Sequence, residues 1–407
     1  MRRTMTTVAI LSVVCASSAC GGGSSSSQAT SAINSISGTV SGPPTSGVYV
    51  ALTGASTAGT TTDANGNYTF TGLLNGRYTV TPSVSGYDFT PASMSVTVNG
   101  ADMPGQNFTA VASTIAEFPV PTSHGGPAGI AAGPDGNLWF TELEGNQLGR
   151  ITPSGTITEF AIPTSHSGPV GIAAGPDGNL WFTEFYADKI GCITPSGTIT
   201  EFAIPSSGSE PHGIVAGPDG NLWFTEVLGN RIGSITPNGT ITEYAIPTSS
   251  GNADAIAAGP DGNLWFTEYV ANQIGKITPI GAITEFAITS GNEPHGIAAG
   301  PDGNLWFTEP SAGMVNQIGC ITPSGTITEF AIPTSSSDPE GIVAGPDGNL
   351  WFAEQEGNQI GRITPSGTIT EYAIPTSGSY PVGIAAGPDG NLWFTETYGN
   401  KIGRLPP

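Results

Sequence analysis

The chain has 407 residues, with 32 Asp and Glu against 10 Lys and Arg, and a formal net charge of −22. This charge excludes nucleic acid as a partner, because binding to phosphates requires clustered Lys and Arg. The chain contains 59 Gly and 34 Pro but is still 37% hydrophobic, which favours short strands joined by tight turns over disorder. The 4 cysteines are too few for a disulfide framework.

Residues 1–20 predict an export signal. Two arginines precede a short apolar run, Val8–Ala16, and small residues lead up to Cys20. The run is shorter than the ~20 apolar residues that span a bilayer. The end of the signal resembles a bacterial lipoprotein signal, whose cysteine is acylated, but Ser17–Ala19 would also suit an ordinary signal peptidase. We therefore expect an extracytoplasmic protein, either membrane-anchored through a lipid on Cys20 or secreted, with a flexible Gly/Ser linker over residues 21–34.

Residues 35–113 predict a small β-sandwich. Short β-branched and aromatic runs such as NYTFTGL and GRYTVTPSV alternate with DANGN and LNGR turns. The segment TDANGNYTFTGLLNGRYTVTPS resembles carboxypeptidase-regulatory-like domains, which commonly serve as stalks on exported proteins. We expect a spacer, with adhesion to carbohydrate or protein as the alternative.

Residues 114–407 contain a repeat. The string GPDGNLWF begins at positions 133, 175, 217, 259, 300, 345 and 387, so the periods are 41 to 45 residues. Each copy holds about four strand-like runs, and this length and strand count predict a seven-bladed β-propeller. The sequence therefore predicts an all-β protein. Because each of the seven Trp falls in one copy, we expect every Trp to pack between neighbouring blades.

The first copy predicts four strands, A to D, at 129–133, 138–142, 147–152 and 156–162. The last copy stops after strand C, whereas residues 114–121, TIAEFPVP, match strand D but precede the first strand A. We expect residues 114–121 to complete the last blade, because this pairing removes two exposed strand edges.

Candidate site residues emerge where one copy departs from the others. The position after the proline of the D to A linker lies at the mouth of the central channel. Around the ring it reads Ala128, Val170, His212, Asp254, His295, Glu340 and Val382. The four ionisable residues occupy consecutive blades, three to six, so we expect them to share one opening.

Acidic residues near this position suggest a cation site. Strand B ends in Glu in every copy, and Glu309 is the copy on blade five, where Glu293 precedes the linker proline. A residue that every blade shares is mostly structural, so we expect one or two of these glutamates to be ligands. Carboxylates favour Mg²⁺ or Ca²⁺, whereas the histidines keep Zn²⁺ or a general base open.

The B to C loops of blades two to five add apolar side chains to the same face. They include Phe185, Tyr186, Tyr269, Val270 and Met314. We expect an amphipathic, uncharged or weakly cationic small molecule to bind there.

The strings GPDGNLWFTE and NQIGRITPSGTITEF resemble the streptogramin B lyase (virginiamycin B lyase) family and, more loosely, NHL-type propellers. The family linearises macrocyclic peptide lactones by elimination with Mg²⁺. The resemblance implies Glu293 and Glu309 as metal ligands and His295 as the general base, with His212 in the equivalent position on blade three. Asp254 stands where the family has a second His.

Three functions follow from these observations. The first is a magnesium-dependent carbon–oxygen lyase acting on a peptide lactone or related small molecule at the channel mouth, with His295, His212 and Asp254 as catalytic residues. The second is a non-catalytic ligand-binding propeller held on a stalk, and the third is a lactone hydrolase. We expect a monomer whose membrane contact, if any, is made through a lipid anchor.

Overall fold

A computed structural model describes residues 33–43, 45–84, 87–91, 93–112, 115–289, 293–310 and 315–407. The predicted export signal, Cys20, most of the linker and Met314 lie outside these ranges. Every regular element within them is a β-strand, which confirms the all-β prediction. No helix in the described ranges has the length and hydropathy of a membrane-spanning segment.

The N-terminal domain consists of two four-stranded sheets, ordered β4-β1-β8-β6 and β3-β2-β5-β7. Alternate side chains of these strands face one core, which includes Ile36, Val50, Phe70, Tyr78 and Phe108. The predicted sandwich is therefore present. Its strands are β1 (Asn34–Ser41), β2 (Tyr49–Gly54), β3 (Ala58–Thr61), β4 (Asn67–Leu73), β5 (Gly76–Ser83), β6 (Tyr87–Thr90), β7 (Met94–Val98) and β8 (Phe108–Ala112).

The remaining described residues form a β-propeller of seven four-stranded antiparallel sheets, each of which is one blade. Its strands are β9 (Ala116–Pro119), β10 (Pro127–Ala132), β11 (Leu138–Glu142), β12 (Gln147–Ile151), β13 (Ile157–Ala161), β14 (Pro169–Ala174), β15 (Leu180–Glu184), β16 (Lys189–Ile193), β17 (Ile199–Ala203), β18 (Pro211–Ala216), β19 (Leu222–Glu226), β20 (Arg231–Ile235), β21 (Ile241–Ala245), β22 (Ala253–Ala258), β23 (Leu264–Glu268), β24 (Gln273–Ile277), β25 (Ile283–Ala287), β26 (Ile297–Ala299), β27 (Leu305–Glu309), β28 (Gln317–Ile321), β29 (Ile327–Ala331), β30 (Pro339–Ala344), β31 (Leu350–Glu354), β32 (Gln359–Ile363), β33 (Ile369–Ala373), β34 (Pro381–Ala386), β35 (Leu392–Glu396) and β36 (Lys401–Leu405).

The innermost strands, A, surround the axis and contact one another in sequence, and β10 also contacts β34. The last sheet has the order β34-β35-β36-β9, so an N-terminal strand supplies its outer edge. In that pairing Ile402 lies opposite Phe118 and Gly403 opposite Glu117. The ring is thus closed by hydrogen bonds between the two ends of the repeat region.

Each tryptophan packs between two blades, as predicted. Trp139 is fully buried with Leu148 of its own blade and Leu180 and Phe182 of the next. Its indole Nε1 donates a hydrogen bond of 3.1 Å to Asp135, the aspartate of the PDG turn. That aspartate therefore fixes the buried ring as well as its own turn.

In each blade the Trp ring lies against an aromatic ring of strand D, and in four blades a cationic side chain covers this pair. The Arg150 guanidinium carbon lies 5.5 Å from the Trp139 ring centre, and its Nη1 donates to Pro195 O of the next blade at 3.1 Å. Lys276, Arg362 and Arg404 occupy the same position. Blades two, three and five instead carry Cys192, Ser234 and Cys320 there. Both cysteines are free and buried.

Ser234→Arg is therefore expected to stabilise the propeller, because it adds the missing cation over the Trp223 and Tyr244 stack, whose ring centres are 5.5 Å apart. A cation–π contact contributes about 1 kcal/mol, and Pro279 O is the matching acceptor. Urea unfolding should show a midpoint above that of wild type. The reverse change, Arg150→Ser, should lower the midpoint by a similar amount, and equal midpoints in all three proteins would contradict this assignment.

Candidate functional site

The channel mouth holds a cavity of about 390 Å³ on the propeller axis. Its walls contain the residue after the linker proline from all seven blades. The structure therefore brings His212, Asp254 and His295 to one opening, together with Glu340. We call the face at this opening the top face and these four residues the channel quartet.

Threonines of strand B hold the quartet in place. Thr183 Oγ1 donates to His212 O at 2.8 Å, and Thr267 Oγ1 donates to His295 O at 2.7 Å. In each pair the threonine belongs to the preceding blade, so the hydrogen bond joins two blades. The backbone of each quartet residue is thus fixed by the fold before any ligand binds.

The glycine after the channel position allows the inner strands to approach closely. A Cβ on Gly171 would lie 2.2 Å from His212 O of the next blade, and one on Gly296 would lie 2.4 Å from Glu340 O. Neither distance is possible for real atoms, so a side chain there would push the strands apart. This tight ring brings side chains of neighbouring blades within hydrogen-bonding distance.

The quartet forms a chain of alternating histidines and carboxylates. His212 Nδ1 lies 2.9 Å from Asp254 Oδ1, and His295 Nδ1 lies 3.2 Å from Glu340 Oε2. Asp254 Oδ2 lies 3.9 Å from His295 Nδ1 and connects the two pairs. Both histidines use Nδ1 for these contacts, which leaves Nε2 of each ring for a ligand in the cavity.

The carboxylates raise the pKa of both histidines. Burial alone would lower the pKa of His295, but its hydrogen bond to Glu340 and the charges of Glu340, Asp254 and Asp338 raise that pKa to about 9. For His212, the charge and hydrogen bond of Asp254 outweigh burial and also raise the pKa. His212 and His295 in turn lower the pKa of Asp254 to about 2 against the effect of burial. His295 is therefore protonated at neutral pH, and the pKa of His212 is shifted in the same direction.

Aromatic side chains from the B to C loops contact both histidines. The Phe185 ring meets His212 edge-on with ring centres 6.1 Å apart, and Tyr269 meets His295 at 5.7 Å. Tyr186 and Val270 of the same loops are exposed at 67% and 54%. Apolar groups thus adjoin the polar cluster on blades two and four, as predicted, whereas Met314 of blade five lies outside the described ranges.

The strand B glutamates do not line the cavity. All seven are fully buried between blades below the loops of the top face: Glu142, Glu184, Glu226, Glu268, Glu309, Glu354 and Glu396. Burial and the charge of Glu159 on strand D raise the pKa of Glu142 to about 8, and Glu268 is raised to about 8 by burial and Glu285. These glutamates therefore lie inside the propeller and do not line the cavity that contains the quartet.

The residues predicted to hold Mg²⁺ lie in different surroundings. Glu293 is exposed, whereas Glu309 is fully buried. Within the described ranges no group of three or more His, Cys, Asp and Glu could hold a metal ion. The described residues therefore do not gather a donor set for Mg²⁺ in one place, and we derive no chemical step through this ion. The assignment to Glu293 and Glu309 stays a prediction, which calorimetric titration of Mg²⁺ into Glu293→Gln and Glu309→Gln would check.

Sequence reasoning placed Glu340 at the shared opening but gave it no catalytic or metal-binding role, although Glu340 provides the shorter contact to His295. The repeat offered a signal, because Glu340 occupies the channel position one blade after His295. Sequence reasoning also missed the threonines that fix the quartet, since Thr fills that strand B position in six blades and only contact across the blade boundary reveals its partner.

A model of the virginiamycin B lyase family matches residues 101–257 and 248–407. A model of the carboxypeptidase regulatory-like domain matches residues 35–111. A virginiamycin B lyase from Saccharopolyspora erythraea is 51% identical over 41 residues, which span 10% of this chain and 14% of that protein.

Three solved structures relate the fold to known proteins. A streptogramin B lyase structure is 40% identical with a TM-score of 0.69, covering 72% of this chain and 97% of that chain. A virginiamycin B lyase from Staphylococcus aureus, crystallised as a catalytically inactive His-to-Ala variant with quinupristin, is 41% identical with a TM-score of 0.69, covering 72% and 99%. A hydrazine synthase from Kuenenia stuttgartiensis, 16% identical with a TM-score of 0.61 over 71% of this chain and 97% of that chain, shares the fold alone.

The matches to the family model and to the lyase structures cover the propeller and its channel quartet. The chain therefore belongs to the virginiamycin B lyase family.

Proposed function

We propose that the channel mouth is the active site of a carbon–oxygen lyase that opens a macrocyclic peptide lactone. The observation that carries this proposal is the pairing of His295 Nδ1 with Glu340 at 3.2 Å at the edge of the cavity. A carboxylate on one ring nitrogen orients the imidazole and strengthens the other nitrogen as a base. The family relationship supplies the substrate class.

In the proposed reaction His295 Nε2 takes a proton from the carbon next to the one that bears the ester oxygen. The C–H electron pair becomes a carbon–carbon double bond, and the C–O bond breaks with its electrons on the leaving carboxylate. His212, whose protonated form is favoured by Asp254 at 2.9 Å, would donate a hydrogen bond to that carboxylate. Asp254 would act by holding both histidines in place.

The test is to incubate the full mature protein with a streptogramin B and analyse the product by mass spectrometry. Elimination opens the ring without changing its mass, whereas hydrolysis adds the mass of one water. We expect a linear product of unchanged mass. A product heavier by one water would contradict the lyase and support the lactone hydrolase instead.

A non-catalytic ligand-binding propeller is the second candidate, and the raised pKa of His295 favours it. A histidine whose pKa is about 9 is mostly unable to accept a proton at neutral pH. The absence of turnover up to pH 9, together with saturable binding of the intact macrocycle, would establish this alternative.

We also propose that the protein works outside the cytoplasm, anchored through Cys20 or secreted. The proposal rests on the sequence of residues 1–20. Metabolic labelling with a radioactive fatty acid should mark the wild type and not Cys20→Ala. Release of unlabelled protein into the medium would instead support secretion.

A further inference from the structure

A second cavity of about 620 Å³ lies on the top face beside the channel. It shares Ala128, Val170, His212 and Val382 with the channel cavity, so the two spaces adjoin. Its other walls come from the loops of blades seven and one. We call this space the tyrosine groove, and its outer walls include His124, Leu143, Glu144, Tyr380 and Tyr398.

The two tyrosines form a stacked pair that no other blade repeats. Their ring centres are 4.2 Å apart at an interplanar angle of 18°, and Tyr398 is 71% exposed. In blade two the equivalent positions hold Gly168 and Tyr186, so a tyrosine there faces a glycine. The stack is therefore a feature of blade seven and not of the repeat.

The backbone at Tyr380 disfavours a large side chain. Its φ is 60°, in the left-handed region where glycine is most stable. The equivalent residue in blade one is Gly126, with φ 61°. Blades three, four and six also have non-glycine residues with positive φ here, Glu210, Asn252 and Asp338. The turn therefore tolerates a side chain, but blades one and two show that it does not require one.

Acidic groups surround the pair, and the groove walls contain neither Lys nor Arg. Glu144 lies in the wall that blade one contributes. Burial, Tyr398, Glu356, Asp338 and Glu340 raise the pKa of the Tyr380 hydroxyl to about 12, so the ring stays neutral. Neutral aromatic faces in an acidic setting attract cations and repel anions.

We propose that the tyrosine groove binds an aromatic group with an adjoining positive charge, on the same ligand whose other part enters the channel. This inference rests on the proposed function for the identity of the whole ligand, and it adds the chemical class of one ligand substituent. The stacked rings provide the aromatic contact, and Glu144 provides the charge. Because the groove and the channel cavity share His212 in their walls, one ligand can extend from one into the other.

The test uses three probes of similar shape and different charge: phenethylamine, 2-phenylethanol and phenylacetate. Binding to the full mature protein is measured by ligand-observed NMR titration. We expect phenethylamine to bind about 5-fold more tightly than 2-phenylethanol, and phenylacetate to bind weakest. None of the probes contains an ester, so this result does not depend on turnover and can fail separately from the lyase proposal.

Variants locate the binding site. Tyr398→Ala should weaken phenethylamine binding about 5- to 10-fold, and Tyr398→Phe should keep it, because the ring face remains. Glu144→Gln should reduce the preference for the amine over the alcohol. Tyr49→Ala removes an exposed tyrosine of the N-terminal sandwich that lies outside both cavities, so this control variant should bind like wild type.

Equal binding of the three probes would overturn the proposal, as would an unchanged affinity in Tyr398→Ala. An equal loss in Tyr49→Ala would also overturn it, because the effect would not belong to the groove. Thermal unfolding of each variant checks that the propeller is intact. Tyr398→Phe keeps the test informative even if the alanine variant is unstable.

Discussion

His295→Ala is expected to lower kcat/KM for a streptogramin B by about 10³-fold, because it removes the base that the proposed elimination requires. The loss should fall on kcat more than on KM, since aromatic and apolar walls of both cavities remain to bind the ligand. His166→Ala is the control, because this exposed linker histidine lies outside the cavity walls. Full activity in His295→Ala would rule out His295 as the base.

The pH dependence separates a base from a structural histidine. Only the neutral imidazole accepts a proton, so kcat/KM of wild type should rise about tenfold per pH unit toward pH 9, where His295 loses its proton. Glu340→Gln removes the main contribution that raises this pKa, so the rising limb should move to lower pH. A limb that stays in place in Glu340→Gln would show that the titrating group is not His295.

The propeller is expected to be more stable at pH 5 than at pH 8. Burial and neighbouring carboxylates raise the pKa of strand B glutamates from 4.5 to about 8, as for Glu142 and Glu268. Between these two values the folded state retains protons that the unfolded chain has released, so the free energy of unfolding falls as pH rises and then levels off above pH 8. The raised pKa values of His212 and His295 act in the same direction.

Glu268→Gln isolates one of these contributions. Glutamine keeps the shape of the neutral acid without a proton to lose, so the variant should gain on the order of 2–4 kcal/mol at pH 8 relative to pH 5 when compared with wild type. Urea unfolding at both pH values measures this difference. Glu356→Gln, an exposed loop glutamate, is the control and should leave the pH dependence unchanged. A wild type that is more stable at pH 8 than at pH 5 would contradict buried, protonated glutamates.

The repeat made the fold predictable from the sequence. The predicted bounds of the first strand B, Leu138–Glu142, agree with the structure, and strand A begins two residues earlier than predicted, at Pro127. Strand B is predicted well because a PDGN turn precedes it and each of its side chains is buried between blades. Strand A begins earlier because Pro127 pairs with Glu142 across an irregularity in the register.

The site was only partly accessible from the sequence. Departures from the repeat placed His212, Asp254 and His295 at the channel, since position in the repeat determines position on the ring. The same reasoning placed Glu309 near them, but both faces of strand B pack against neighbouring blades, so its last side chain is buried. The His212 to Asp254 and His295 to Glu340 pairs depend on the spacing between blades, which the repeat length does not reveal.

The central claim is that the four ionisable residues of the channel mouth form one coupled unit. An NMR titration of the histidine rings in wild type and Asp254→Asn tests it most directly, because Asp254 contacts both histidines. We predict that His295 titrates near pH 9 in wild type and that both His212 and His295 titrate at lower pH in Asp254→Asn. Titration of both rings near pH 6.5 in the two proteins would show that the quartet does not exist as a unit.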